Sequence, residues 1–158
     1  MTGKKNFVLL IFLFALVQVS VLRYLSLFGV KPDLFLISVL VASLYFDVEY
    51  ALLLSLLCGV LKDIFSVGTF GFNTFCLPVL SFLVMKLSRK MAFDNTLVLC
   101  AVVFAASVFY GMAGGVFQAY TAPAIPFWTF VRISFLESLY TAAVFPLVFK
   151  LIKKTARL

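Results

Sequence analysis

Apolar runs long enough to approach or cross a bilayer, joined by turns too short to fold on their own, leave this chain one architecture: helices bundled in a membrane. A spanning helix needs roughly 20 apolar residues, because its backbone must satisfy its own hydrogen bonds through about 30 Å of hydrocarbon. Six runs fit into the 158 residues, with expected spans at 7–28, 32–47, 50–66, 74–88, 97–118 and 130–152. The chain is 65% hydrophobic and 12% charged, against about 45–50% apolar and about 25% charged in soluble domains. A soluble fold is excluded, and no length remains for a second domain.

The first run follows Lys4 and Lys5, a start that secretory signal peptides share. It continues to Phe28 without a small-x-small cleavage site before Arg23 and is followed by further apolar runs, so it reads as a retained span. The second opens on Lys31-Pro32-Asp33, where Pro at the first helical position and Asp in the first turn suit a helix N-terminus. Asp47 and Glu49 mark a tight turn into the third run. These two runs are at the short limit for crossing, and a helical hairpin that crosses only in part is the alternative. A turn-rich loop from Ser66 to Asn73 with Gly68 and Gly71 leads to the fourth run, which carries Pro78 near its start.

Charge asymmetry gives the orientation. With six spans and both termini cytoplasmic, the inside holds Lys4, Lys5, Lys86, Arg89, Lys90, Lys150, Lys153, Lys154 and Arg157, and the outside holds Arg23, Lys31, Lys62 and Arg132. That is nine against four, in the sense the positive-inside rule requires. Five spans would put the basic C-terminal cluster outside. The net charge of +7 therefore lies at helix ends, and without a basic face interleaved with aromatics it does not indicate nucleic acid.

Catalytic and metal chemistry find little footing. Histidine is absent, and Cys58, Cys76 and Cys100 are odd in number, lie within apolar runs and form no CxxC pair. They read as small packing residues. No metal, cofactor or enzymatic activity is expected.

Polar groups inside the apolar runs each need a reason, since hydrocarbon does not solvate them. Ser55, Gly59, Asp63 and Ser66 recur at helical spacing as one small, polar stripe that should face the bundle. Asp63 opposes the dipole at its helix C-terminus. It is expected to accept hydrogen bonds from loop amides between Gly68 and Asn73, pinning the third helix to the fourth. A surface exchange with Lys62 and an ion or proton site are the competing readings. Ser107, Gly111, Gly115 and Gln118 line a face of the fifth run, and Gly111 to Gly115 is a GxxxG, which serves either internal packing or a partner's helix. In the sixth run Ser134, Ser138 and Thr141 share a face beside Glu137. Arg132 lies about 140° around the helix from Glu137, a poor pairing geometry, so that acid is either neutral or paired across helices. Asp63, Glu137 and Gln18 are too few convergent groups for a pump.

Between Lys31 and Lys90 the chain resembles the rod shape-determining MreD family. The residues that carry the likeness are Lys31-Pro32-Asp33-Leu34-Phe35-Leu36, then Gly59-Val60-Leu61-Lys62-Asp63, then Gly68, Gly71 and Asn73. The resemblance implies a non-catalytic, multi-pass protein of the bacterial inner membrane within the machinery that inserts peptidoglycan along the side wall. Partners so implied are MreC and, through it, MreB, RodA and the elongation transpeptidase. The family is in turn similar to the six-helix substrate-binding subunits of energy-coupling-factor vitamin transporters, which keeps such a subunit as the alternative function. Lys62, where an apolar residue would sit more comfortably, departs from the family pattern. The sites expected to hold the bundle or its partner are Pro32, Asp33, Gly59, Asp63, Gly68, Gly71, Asn73, Gly111, Gly115 and Glu137.

Overall fold

The computed structural model describes residues 11–14, 16–18, 31–65, 71–88, 96–121 and 127–156, and among these every regular element is a helix. Helix α1 is represented by residues 11–14 and 16–18, so most of the expected first span, along with Gly68, lies outside the described residues. The others are α2 (Leu34–Tyr45), α3 (Val48–Phe65), α4 (Phe72–Ser88), α5 (Thr96–Thr121) and α6 (Phe127–Ala156).

Helix α2 is the hub. Ten of its twelve side chains, Leu34 through Ser43, are buried. A helix that is apolar on all sides belongs in the centre of a bundle, and α3, α4, α5 and α6 all pack against this one. Its two buried serines stay satisfied by bonding back along the helix: Ser38 Oγ donates to the Leu34 carbonyl at 2.8 Å and Ser43 Oγ to the Val39 carbonyl at 2.7 Å. Ser43 Oγ also lies 2.7 Å from Ser81 Oγ, which fixes α2 against α4.

The start of α2 differs from the sequence expectation. Pro32 and Asp33 both precede the helix, and Asp33 is its N-cap, with φ −91° and ψ 92°. Its Oδ1 accepts the Leu36 N–H at 3.1 Å, a bond that an aspartate makes from the cap and not from within the first turn. The chain turns at Phe46-Asp47 after the Phe46 N–H closes on the Ala42 carbonyl at 3.0 Å.

Two hairpins clasp this hub, α3 against α4 and α5 against α6. The small stripe of α3 is where α4 enters. A Cβ on Gly59 would stand 2.6 Å from Thr74 Cα and 2.7 Å from the Asn73 carbonyl oxygen, so only glycine admits the α4 backbone at this distance. Gly71, with φ +95°, makes the turn into α4, and its carbonyl accepts the Phe75 N–H at 3.2 Å. Helices α5 and α6 contain apolar stretches, Val98–Gln118 and Trp128–Lys154, long enough to cross a membrane, while α2 and α4 are shorter apolar helices.

The GxxxG of α5 faces α6. A Cβ on Gly111 would lie 3.0 Å from Ser134 Cβ, and one on Gly115 would overlap the Phe130 ring. Gly114 borders only the Phe72 ring at 3.4 Å. Gly111→Leu is therefore expected to part α5 from α6 and lower bundle stability by roughly 1–3 kcal/mol, read as a fall in Tm in detergent. Gly114→Ala should leave Tm nearly unchanged; equal Tm for both variants would contradict this packing.

Candidate functional site

The charged groups within the bundle gather at one end of it, where α2 and α4 begin and α3 ends. Consecutive helix residues point about 100° apart, so Lys62 and Asp63 at the end of α3 address different neighbours. Lys62 turns to α2 and Asp63 to α4.

Asp63 is 1% exposed, and among the described residues the partners of its two carboxylate oxygens are all on α4. Oδ1 accepts the Asn73 N–H at 3.1 Å and the Asn73 Nδ2 at 2.7 Å; Oδ2 accepts the Thr74 N–H at 2.8 Å and the Thr74 hydroxyl at 2.5 Å. The first amides of a helix have no partner within it and form a ready site for an anion. Asp63 supplies that anion from a neighbouring helix. Its unfavourable position at the end of α3 is offset by its favourable one at the start of α4.

Lys62 forms an ion pair with Asp33 Oδ2 across the α2–α3 contact. Its ammonium also lies 4.4 Å from the centroid of the Tyr110 ring on α5, a cation–π arrangement. Glu137 on α6 lies one turn before Thr141, whose hydroxyl meets the Asp33 backbone. Asp33 reaches α6 by its backbone, donating its N–H to Thr141 Oγ1 at 3.2 Å. Tyr110 joins the two halves, since its hydroxyl donates to Asn73 Oδ1. One continuous set of contacts thus runs Thr141–Asp33–Lys62–Tyr110–Asn73–Asp63–Thr74 and touches α2 through α6.

Of the expected site residues, Pro32, Asp33, Gly59, Asp63, Gly71 and Asn73 come together here. Pro32 is buried just ahead of the α2 cap. Gly111 and Gly115 belong to the α5–α6 contact, next in sequence to Tyr110 in the first case. Glu137 is half-buried and faces the junction from α6. Gln18 lies on α1, its buried Oε1 without a hydrogen-bond partner among the described residues.

Of the loop amides expected to hold Asp63, that of Asn73 does so from the first turn of α4, with Thr74 contributing as much, while Gly68 to Phe70 lie outside the described residues. Thr74, Tyr110 and Thr141 carry the junction without having been singled out for it. Thr141 shared a polar face with Ser134 and Ser138, and Tyr110 adjoined the GxxxG, but neither pattern names a partner. Among the described residues no group of three or more His, Cys, Asp or Glu side chains is placed to hold a metal ion. The arrangement gives Asp33, Lys62 and Asp63 each a partner on another helix and so joins helices.

The segment that forms this junction is the one whose motifs resemble a known family, and the family comparison extends the likeness to nearly the whole chain. The model of rod shape-determining protein MreD matches residues 3–155. This chain belongs to the MreD family. Membership gives it a role in rod shape determination, and its apolar helices fit a membrane protein. No curated protein and no solved structure matches the chain. In this MreD family member, Lys62 has a definite place: it neutralises the Asp33 cap in the bundle interior.

Proposed function

We propose that this chain is a non-catalytic scaffold of the cell-wall elongation machinery, crossing the bacterial inner membrane six times with both ends cytoplasmic and holding the transmembrane helix of MreC. Through MreC it would connect to MreB, RodA and the elongation transpeptidase. The observation that carries this reading is the use made of the charged groups. Asp33, Lys62 and Asp63 are bonded to other helices of the same chain, which leaves the outward apolar surfaces of the helices as the surface offered to a partner.

The orientation rests on the basic residues at helix ends. Lys62, counted with the outer set from sequence, is paired within the bundle and so exerts little pull on topology. Removing it leaves nine cations inside against three outside, a stronger asymmetry in the same sense. Affinity purification of the full chain in mild detergent is expected to co-isolate MreC, and depletion is expected to round rod-shaped cells. Recovery of the intact protein without MreC, from cells that contain both, would overturn the scaffold reading.

A further inference from the structure

The helices facing outward are of unequal length. Over the described residues helix α3 has 18 and α4 has 17, against 26 in α5 and 30 in α6. At about 1.5 Å per residue the first pair reaches roughly 25–27 Å and the second roughly 39–45 Å. Helix α2 is shorter still, but its side chains are covered by its neighbours, so its length sets no requirement on lipid.

The apolar side chains that α3 and α4 turn outward mark a narrower band than the helices themselves. On α3 they run from Leu53 past Val60 to Phe65, and on α4 from Phe75 past Val79 to Leu87. Each series covers about 18 Å of helix axis. Exposed Glu49 precedes the band on α3 and exposed Lys86 lies in its last turn on α4, while at the other end the Asp63–Asn73–Thr74 junction lies within the last turn of α3 and the first of α4. On α6 the exposed series from Trp128 to Leu151 covers about 35 Å. Any tilt shortens these spans further. A bilayer has about 30 Å of hydrocarbon, and a face that falls short of it must thin the adjoining lipid or draw its flanking charges outward.

We propose that the α3–α4 face carries a locally thinned annulus of bilayer, so that the protein is matched to shorter acyl chains on this side than on the α6 side. This rests on α3 and α4 crossing the membrane, as the six-span reading requires. The hairpin that holds the polar junction is also the short one.

Single-tryptophan reporters in the full-length protein test it. In a Trp128→Phe background, Phe82→Trp places the indole on the α4 face and Leu139→Trp on the α6 face, at positions 51% and 52% exposed. Each variant is reconstituted in vesicles of phosphatidylcholines with chains from about 14 to about 22 carbons, and quenching by brominated lipid of each length gives relative lipid affinity. The α4 reporter is expected to favour the shortest chains over the longest by about threefold, and the α6 reporter to show no such preference. Equal chain-length profiles at both positions would overturn the proposal, as would an α4 reporter that no lipid quenches, since protein would then cover that face. Thiol labelling of Thr69→Cys and Ser88→Cys variants separates the two ideas. Labelling from opposite sides with a flat lipid profile refutes the thinning alone, and labelling from the same side refutes the crossing of α4 and the thinning with it.

Discussion

Asp63→Ala should lower the stability of the bundle by about 3–5 kcal/mol, the range for removing one partner from a buried charged cluster. The change deletes four hydrogen bonds at once and leaves two amides and two side chains of α4 without acceptors in a place that water reaches poorly. It also removes the anion that compensates the start of α4. Asp63→Asn is expected to do less damage, because one oxygen remains to accept while the new amide faces donors. Thermal unfolding in detergent and the steady-state level in membranes read both effects. Wild-type Tm and abundance for Asp63→Ala would show that α3 and α4 are held by apolar contact alone.

The Asp33–Lys62 pair predicts a different pattern, one in which two changes are milder than one. Lys62→Met leaves the Asp33 carboxylate, on a residue only 4% exposed, with one remaining bond among the described residues, from the Leu36 amide. An uncompensated buried charge of this kind costs about 3–5 kcal/mol. Adding Asp33→Asn removes the charge while keeping the cap, since asparagine caps helices as well as aspartate. The double variant should therefore recover at least about 2 kcal/mol relative to Lys62→Met alone. A double-mutant cycle on Tm provides the number. Simple additivity of the two losses would mean that the two side chains do not support each other in the bilayer.

The contrast between these two acids shows what a sequence of this kind discloses. Asp63 was conspicuous because it sits at the wrong end of its own helix, and the small residues one and two turns before it fixed the side from which relief had to come. The sequence pattern points to the neighbouring helix but not to Thr74, because the boundary of α4 decides which amides are free. Asp33 looked sufficient as a helix start, so nothing demanded a second partner for it. Its bond to Lys62 joins residues 29 apart in the chain, and hydropathy carries no signal for such a pair. A lysine at the end of an apolar run is conspicuous in sequence, but the neighbour it suggests is Asp63 and not Asp33.

The short helices follow the same division. The runs at 32–47 and 50–66 stood out as brief, but burial alone distinguishes them. Helix α2 is short and enclosed, whereas α3 is short and faces outward. Gly111 and Gly115 likewise formed a motif open to either an internal or an external neighbour. Ser134 and Phe130 on α6 fill that place from within the chain.

The central claim is that the buried polar junction builds the bundle, and that the protein supports rod shape by being present and folded. The direct measurement is cell shape against membrane abundance for Asp63→Ala, Asp63→Asn, Lys62→Met and the Asp33→Asn/Lys62→Met double variant, each expressed in cells lacking the native copy. Loss of rod shape should track loss of folded protein across the series, with the double variant restoring both relative to Lys62→Met. A variant present at the wild-type level with wild-type Tm that nevertheless yields round cells would contradict the account, since the junction would then have a task beyond holding the helices together.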